Sequence, residues 1–138
     1  MAEITVTAAS VALASGEQAI GTAGETITAG MAVYLKAADG RLWKAQADGT
    51  AAEAAAVGIA LHGSLAAQPL AYAKNGAIIN IGGTTAAGVF YYVGPTAGGV
   101  CLEGDLVSTN KVCQLGFATA TSGSVFNVRI TDTVSVLA

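Results

Sequence analysis

The sequence predicts an all-β domain, a compact β-sandwich or barrel built from two tandem repeats, with one short helical turn and an extended N-terminal arm. Three observations lead there. Short runs of β-branched and aromatic residues are separated at fairly regular intervals by Gly, Pro, Asn and Asp, which is the pattern of strands joined by tight turns. Several of these runs recur in one register, 58 residues apart. At 138 residues the chain is long enough for one hydrophobic core and short enough to hold it in one domain.

The repeat is read first, because a fixed internal period decides the architecture. Ala29-Gly30-Met31-Ala32-Val33-Tyr34-Leu35 returns as Ala87-Gly88-Val89-Phe90-Tyr91-Tyr92-Val93, with Gly88 lying 58 residues after Gly30. Ala56-Val57-Gly58-Ile59-Ala60 returns as Gln114-Leu115-Gly116-Phe117-Ala118 at the same spacing, and Asp39–Trp43 falls on Ala97–Cys101. With a slip of two or three residues, Pro69–Ala73 corresponds to Ser124–Val128. The expected repeat units are 27–81 and 85–130, within a domain of residues 26–138.

In the first unit, strands are expected at Met31–Lys36, Arg41–Ala45, Val57–Leu61, Leu70–Ala73 and Ala77–Ile81, with Asp39-Gly40 turning the first hairpin. In the second they are expected at Val89–Val93, Val100–Glu103, Val112–Thr119 and Val125–Thr131. Thr50-Ala51-Ala52-Glu53 has the spacing of a capping box, so a helical turn or two follows, closed by Gly58. Residues 1–25 read as an arm. Ile4-Thr5-Val6-Thr7 alternates as a strand would, whereas Ala8–Thr26 is small, Gly-spaced and weakly apolar. An alternating, β-branched tip suits pairing with an open sheet edge, so Ile4, Thr5, Val6 and Thr7 are the candidate contacts to a capsid strand or neighbouring subunit; the alternative is that they form the first strand of their own domain.

Only 11% of the residues are Asp, Glu, Lys or Arg, against about 25% in ordinary soluble domains. A folded chain of this mass exposes on the order of 6,500 Å², and nine acids with six bases cannot cover it densely. Much of the exterior is therefore neutral or apolar, a property of surfaces that meet other proteins. Because 30 residues are alanine, the 53% hydrophobic content overstates how much large side chain is available for burial. The six basic residues are scattered and the net charge is −3, which argues against a nucleic-acid partner. No apolar run approaches the length of a membrane span and the first residues lack a signal-peptide pattern, so a soluble protein made in a cytoplasm is expected.

Candidate chemistry is sparse. His62 is the one histidine, with no Asp, Glu or Cys at ligand spacing, and reads as a surface residue. Ser15, Ser64 and Ser124 have no base nearby in sequence, while Asp39 and Asp48 each precede glycine and serve turns. The Gly-rich pieces at 82–85 and 94–99 lack the Gly-Lys-Ser/Thr ending of a phosphate loop. Cys101 and Cys113 read as free, buried thiols. No catalysis, metal or cofactor is expected. The aromatic residues Tyr34, Trp43, Phe90, Tyr91, Tyr92, Phe117 and Phe126 read as core, with a subunit contact as the alternative.

The segments Glu25–Leu35, Asp39–Ala45, Ala54–Leu61 and Gln68–Ile81, followed by Thr84–Val93, Gly98–Glu103, Lys111–Ala120 and Gly123–Ile130, resemble the capsid cement proteins that decorate tailed-phage heads. The shared pattern is an Ala-Gly before a strand, a Val-Gly-Ile-Ala strand and a Gly-led final strand. That resemblance implies a non-enzymatic structural virion protein on the capsid exterior, synthesised in the host cytoplasm, commonly trimeric, with the major capsid protein as partner. Two rivals stand beside it. One is a receptor-binding or fibre-tip module, which calls for ligand-reading loops richer than these in polar and aromatic groups. The other is a biotinyl-type carrier domain, for which Lys74 is the candidate attachment site.

Overall fold

The computed structural model describes residues 6–48, 50–83, 85, 87–102, 106, 110–119, 125–130 and 135–136, with backbone alone for Ala8, Ser135 and Val136. After a 3-10 turn at Ala8–Ser10, the strands are β1 (Ala12–Ser15), β2 (Gln18–Thr22), β3 (Ala32–Lys36), β4 (Arg41–Lys44), β5 (Gly58–Ala60), β6 (Pro69–Ala73), β7 (Ile78–Asn80), β8 (Phe90–Val93), β9 (Val100–Cys101), β10 (Lys111–Val112), β11 (Gln114–Ala118), β12 (Phe126–Val128) and β13 (Ser135–Val136). The single helical turn α1 (Ala51–Ala54) lies between β4 and β5. The strands form two antiparallel sheets, ordered β2-β6-β5-β3-β4 and β1-β7-β12-β11-β8-β9, with β10 and β13 paired separately.

The sheets follow the sequence patterning with three differences. Residues 12–22, expected in an extended arm, supply a strand to each sheet. β1 pairs with β7 and β2 with β6, so residues 12–22 and 69–80 run as one long antiparallel ribbon that passes from one sheet to the other. The ribbon bends at Gly16 (φ +90°) and Gly76 (φ +96°), both in the left-handed region that glycine enters without steric cost. Side chains at Gly16 would meet the Ala77 backbone at 2.6 Å, which fixes the identity of that residue. A ladder of backbone hydrogen bonds needs no large side chains, and this is why an Ala/Ser/Gly stretch forms strands its composition does not advertise.

The second difference concerns the helix. Thr50 and Glu53 form the expected capping box, with the Thr50 N–H donating to Glu53 Oε1 at 2.7 Å and the Glu53 N–H donating to Thr50 Oγ1 at 3.3 Å. The turn ends at Ala54, not at Gly58, because Gly58 is needed in β5. There its Cα lies so close to β6 that a Cβ would overlap the Ala73 carbonyl oxygen and the Tyr72 ring.

The third difference is where the halves divide. β7, expected to close the first unit, belongs to the six-stranded sheet. The registers nevertheless keep the spacing read from the sequence. In β3 and β5, Ala32 faces Ile59 and Val33 faces Gly58; in β8 and β11, Phe90 faces Phe117 and Tyr91 faces Gly116. Tyr34–Trp43 and Leu35–Leu42 are matched by Tyr92–Cys101 and Val93–Val100. Turn bonds match as well: Gly30 N–H to Ala60 O and Gly88 N–H to Ala118 O are both 2.8 Å. The strand order β2-β6-β5-β3-β4 is mirrored by β7-β12-β11-β8-β9, so each sheet runs from β2 or β7 to its own hairpin partner.

Matched registers do not give matched surroundings. The outer face of the five-stranded sheet packs Val33, Leu42, Ala60 and Leu70 around Ile27, which the returning segment before β3 lays across the sheet. The sheet curls until Ala23 bridges Leu42 of β4. Its other face (Ala32, Tyr34, Ile59, Ala73) meets Ile79, Tyr91, Val93, Leu115, Phe126 and Val128 of the six-stranded sheet in the main core. Tyr91, Val100 and Ala118 of that core stand at the positions of Val33, Leu42 and Ala60, so equivalent faces are buried in both sheets. In one case the cover is a segment of chain; in the other it is the back of the neighbouring sheet.

Candidate interaction surface

This arrangement leaves one face without an equivalent cover. Ala32 and Ile59 are buried in the main core, but Phe90 and Phe117 at the same register lie on the outside of the six-stranded sheet. Phe90 is 47% exposed and its ring lies 5.5 Å from that of Phe117. The face continues across Asn127 of β12 and Ile78 of β7, both half-buried. At its other end Tyr92 faces Cys101, which is buried. β7, β8, β11 and β12 carry no Asp, Glu, Lys or Arg, and Arg129 follows β12 at the margin. An aromatic pair on an uncharged sheet face can bury area against a partner with little desolvation cost, because no charge has to leave water.

The aromatic residues thus divide. Tyr34, Tyr91 and Phe126 are buried as expected, with the rings of the latter two 5.9 Å apart. Trp43 is half-buried on the hairpin, where its Nε1–H donates to Asp39 Oδ2 at 3.1 Å and the Lys36 ammonium sits 4.4 Å from its ring centroid. Asp39 also accepts the Arg41 N–H at 2.9 Å, the turn role its place before Gly40 suggested. Burial, followed by the Glu53, Glu25 and Asp39 carboxylates, holds the Tyr34 phenol above its ordinary pKa.

Of the candidate contacts at the N-terminus, Ile4 and Thr5 lie outside the described residues. Thr7 is tied to its own domain, its N–H donating to Gly82 O at 2.7 Å, and Val6 packs closely against Gly30. A cleft of about 270 Å³ opens beside Val6, walled by Thr28–Met31 and by Thr96–Val100. Its lining is small and uncharged, without groups that would orient a ligand.

The remaining titratable residues are engaged structurally. His62 is exposed, but its Nε2 accepts the Ala71 N–H of β6 at 3.0 Å while Nδ1 lies 2.8 Å from Gly63 O. Those two partners assign the neutral tautomer with the proton on Nδ1, and the imidazole substitutes for a strand carbonyl where β5 stops. Glu25 accepts the Lys44 N–H at 2.9 Å and lies 3.8 Å from its ammonium. Cys101 and Cys113 are both buried and free. Lys74 is exposed in the β6–β7 bend, beside Asn75, whose side chain bonds both the N–H and the carbonyl of Ile130. Among the described residues no three His, Cys, Asp or Glu gather in a group that could hold a metal ion, and no helix is long and apolar enough to cross a membrane.

The chain matches no family model, no curated protein and no solved structure.

Proposed function

We propose that the chain is a non-catalytic virion protein that binds the exterior of a phage capsid and cements its subunits, and that the Phe90–Phe117 face contacts the shell. The observation that carries this reading is that face: uncharged, aromatic, partly open to water, and equivalent in register to a face that the same molecule buries. The matched registers support reading the two sheets as copies of one unit, which tells what such a face can do. In the first copy it receives the apolar side of a sheet; in the second it is free to receive one from another protein.

The low charge content supports the same role. A protein that clamps several shell subunits gains its hold from complementary neutral surface repeated over many sites, where effective concentration multiplies weak contacts. Self-association into trimers, implied by the resemblance to cement proteins, belongs to this proposal, as does the N-terminal tip at Ile4 and Thr5 as an additional contact to the major capsid protein.

The test is co-sedimentation with heads assembled from the major capsid protein encoded beside this chain. The wild type pellets with the heads in saturable fashion. Phe90→Asp, a change at a half-exposed position that leaves the main core intact, reduces occupancy at least tenfold while the circular dichroism spectrum is unchanged. Equal occupancy of wild type and Phe90→Asp removes the face from the contact, and a wild type that stays in the supernatant refutes the proposal.

A further inference from the structure

An open strand edge presents a row of backbone donors and acceptors to any passing strand, and folded proteins block such edges with charge, proline, bulges or brevity. Three of the four edges of the two larger sheets carry such a device. β4 has Arg41 and Lys44, β9 is two residues long, and β1 has an irregular register between Leu13 and Ser15. β2 has none of these. Its five residues, Gln18-Ala19-Ile20-Gly21-Thr22, are uncharged and pair with β6 in unbroken register.

The direction of its open groups follows from the ladder. Lys74 N–H donates to Glu17 O at 3.2 Å and Ala23 N–H donates to Gln68 O at 2.9 Å. Antiparallel pairs alternate between bonded and non-bonded, so Glu17, Ala19, Gly21 and Ala23 face β6 while Gln18, Ile20 and Thr22 turn their N–H and C=O outward. Pro69, which lacks an N–H, falls opposite Thr22, where the ladder needs none. Among the described residues the one contact on that side is the bridge from Ala23 to Leu42, beyond the end of β2. Ile20, at the centre of the edge, is 70% exposed.

We infer that β2 is a self-pairing edge, on which the β2 of a second copy docks antiparallel about a twofold axis through Ile20. The inference does not depend on the proposed capsid role. The outward residues are spaced symmetrically about Ile20, so the twofold sets Ile20 against Ile20 and Gln18 against Thr22, closing roughly six backbone hydrogen bonds. Ala19 meets Gly21, which leaves room for close approach. Glu17 falls opposite Ala23, so no acid meets an acid, and Ser10–Gly24 contains no other charged residue. The second copy is favoured over a foreign strand by this self-complementarity: each side supplies what the other lacks, and each Ile20 covers its mate. If another contact builds trimers, the β2 twofold joins trimers in pairs, and the number of copies is even in either case.

The experiment combines two variants of the full chain at tens of micromolar. Light scattering of the wild type gives an even number of copies, and Ile20→Lys halves the mass with an unchanged far-ultraviolet circular dichroism spectrum, since Ile20 is largely exposed. In Ile20→Cys, bonded-pair Cα atoms about 5.5 Å apart lie within the roughly 4.4–6.8 Å range that a disulfide spans. Mild oxidation therefore yields a covalent dimer on a non-reducing gel, and the wild type, whose cysteines are buried, does not. A wild type that is monomeric or odd-numbered, a mass that Ile20→Lys leaves unchanged, or an Ile20→Cys variant that does not cross-link each overturns the inference. Loss of capsid occupancy in Ile20→Lys without a change of mass overturns it too, and assigns the edge to a shell strand.

Discussion

Replacing Gly58 or Gly116 with alanine probes the feature on which the two halves agree most closely. At Gly58 a Cβ overlaps the Ala73 carbonyl oxygen and the Tyr72 ring; at Gly116 it overlaps the Asn127 carbonyl oxygen and comes within 3.0 Å of Phe126 Cε1. The obstacle is backbone of the adjacent strand in both cases, so the clash cannot be relieved by turning a side chain. Forcing a methyl into a filled site costs about 1–3 kcal/mol, and prising β5 from β6 or β11 from β12 adds the loss of a ladder bond, about 1 kcal/mol. The expected destabilisation is about 2–4 kcal/mol for each variant. With an unfolding entropy of about 2.1 cal/mol/K per residue, that lowers Tm by roughly 7–14 °C. Calorimetry at fixed protein concentration measures it, because any self-association makes Tm concentration-dependent. Gly63→Ala is the control: its added Cβ meets nothing nearer than Ile27 O at 3.7 Å and leaves Tm within about 2 °C of wild type. If Gly58→Ala and Gly116→Ala also melt within that margin, or if only one of them is destabilised, the close and equivalent approach of these strands is refuted.

Other outcomes follow from single contacts. Phe126 is fully buried in the main core, so Phe126→Ala costs about 3–5 kcal/mol in a denaturant titration; a loss below 1 kcal/mol contradicts its placement. His62→Ala removes the acceptor for the Ala71 N–H and costs about 1 kcal/mol, with amide exchange at Ala71 accelerating in step. Tyr34 has a folded pKa raised above that of the unfolded chain, so its contribution to stability is fully present below about pH 10 and is lost as pH rises towards the folded value. Absorbance titration of the phenolates then shows Tyr34 ionising later than in the denatured protein, and an early titration in Tyr34-containing but not Tyr34→Phe protein contradicts its burial.

The strands that carry large side chains were legible in the sequence, because Val33-Tyr34-Leu35, Phe90-Tyr91-Tyr92-Val93 and Leu115–Ala118 combine β-branched or aromatic residues with flanking turns. The capping box was legible for a related reason: Thr50 and Glu53 need only their spacing to bond each other's backbone. β1 and β2 were not, since their side chains are mostly alanine, serine and glycine and their stability comes from the ribbon they form with β6 and β7. Nor could the sequence locate the exposed aromatic pair. Phe90 and Phe117 fall at the register of core residues Ala32 and Ile59, and only the stacking of the sheets decides that one face is covered and the other is open. The replacement of Ala32 by Phe90 across the repeat was the available signal, a small residue under a neighbouring sheet exchanged for a large one without it.

The proposed role is tested most directly by a cryo-electron microscopy reconstruction of the assembled head with this chain bound. The account predicts density for the β-domain on the outer shell, with β8 and β11 lying against the capsid and Phe90 and Phe117 inside the contact. A head whose exterior lacks this density, or a bound domain whose Phe90–Phe117 face points to solvent, contradicts it.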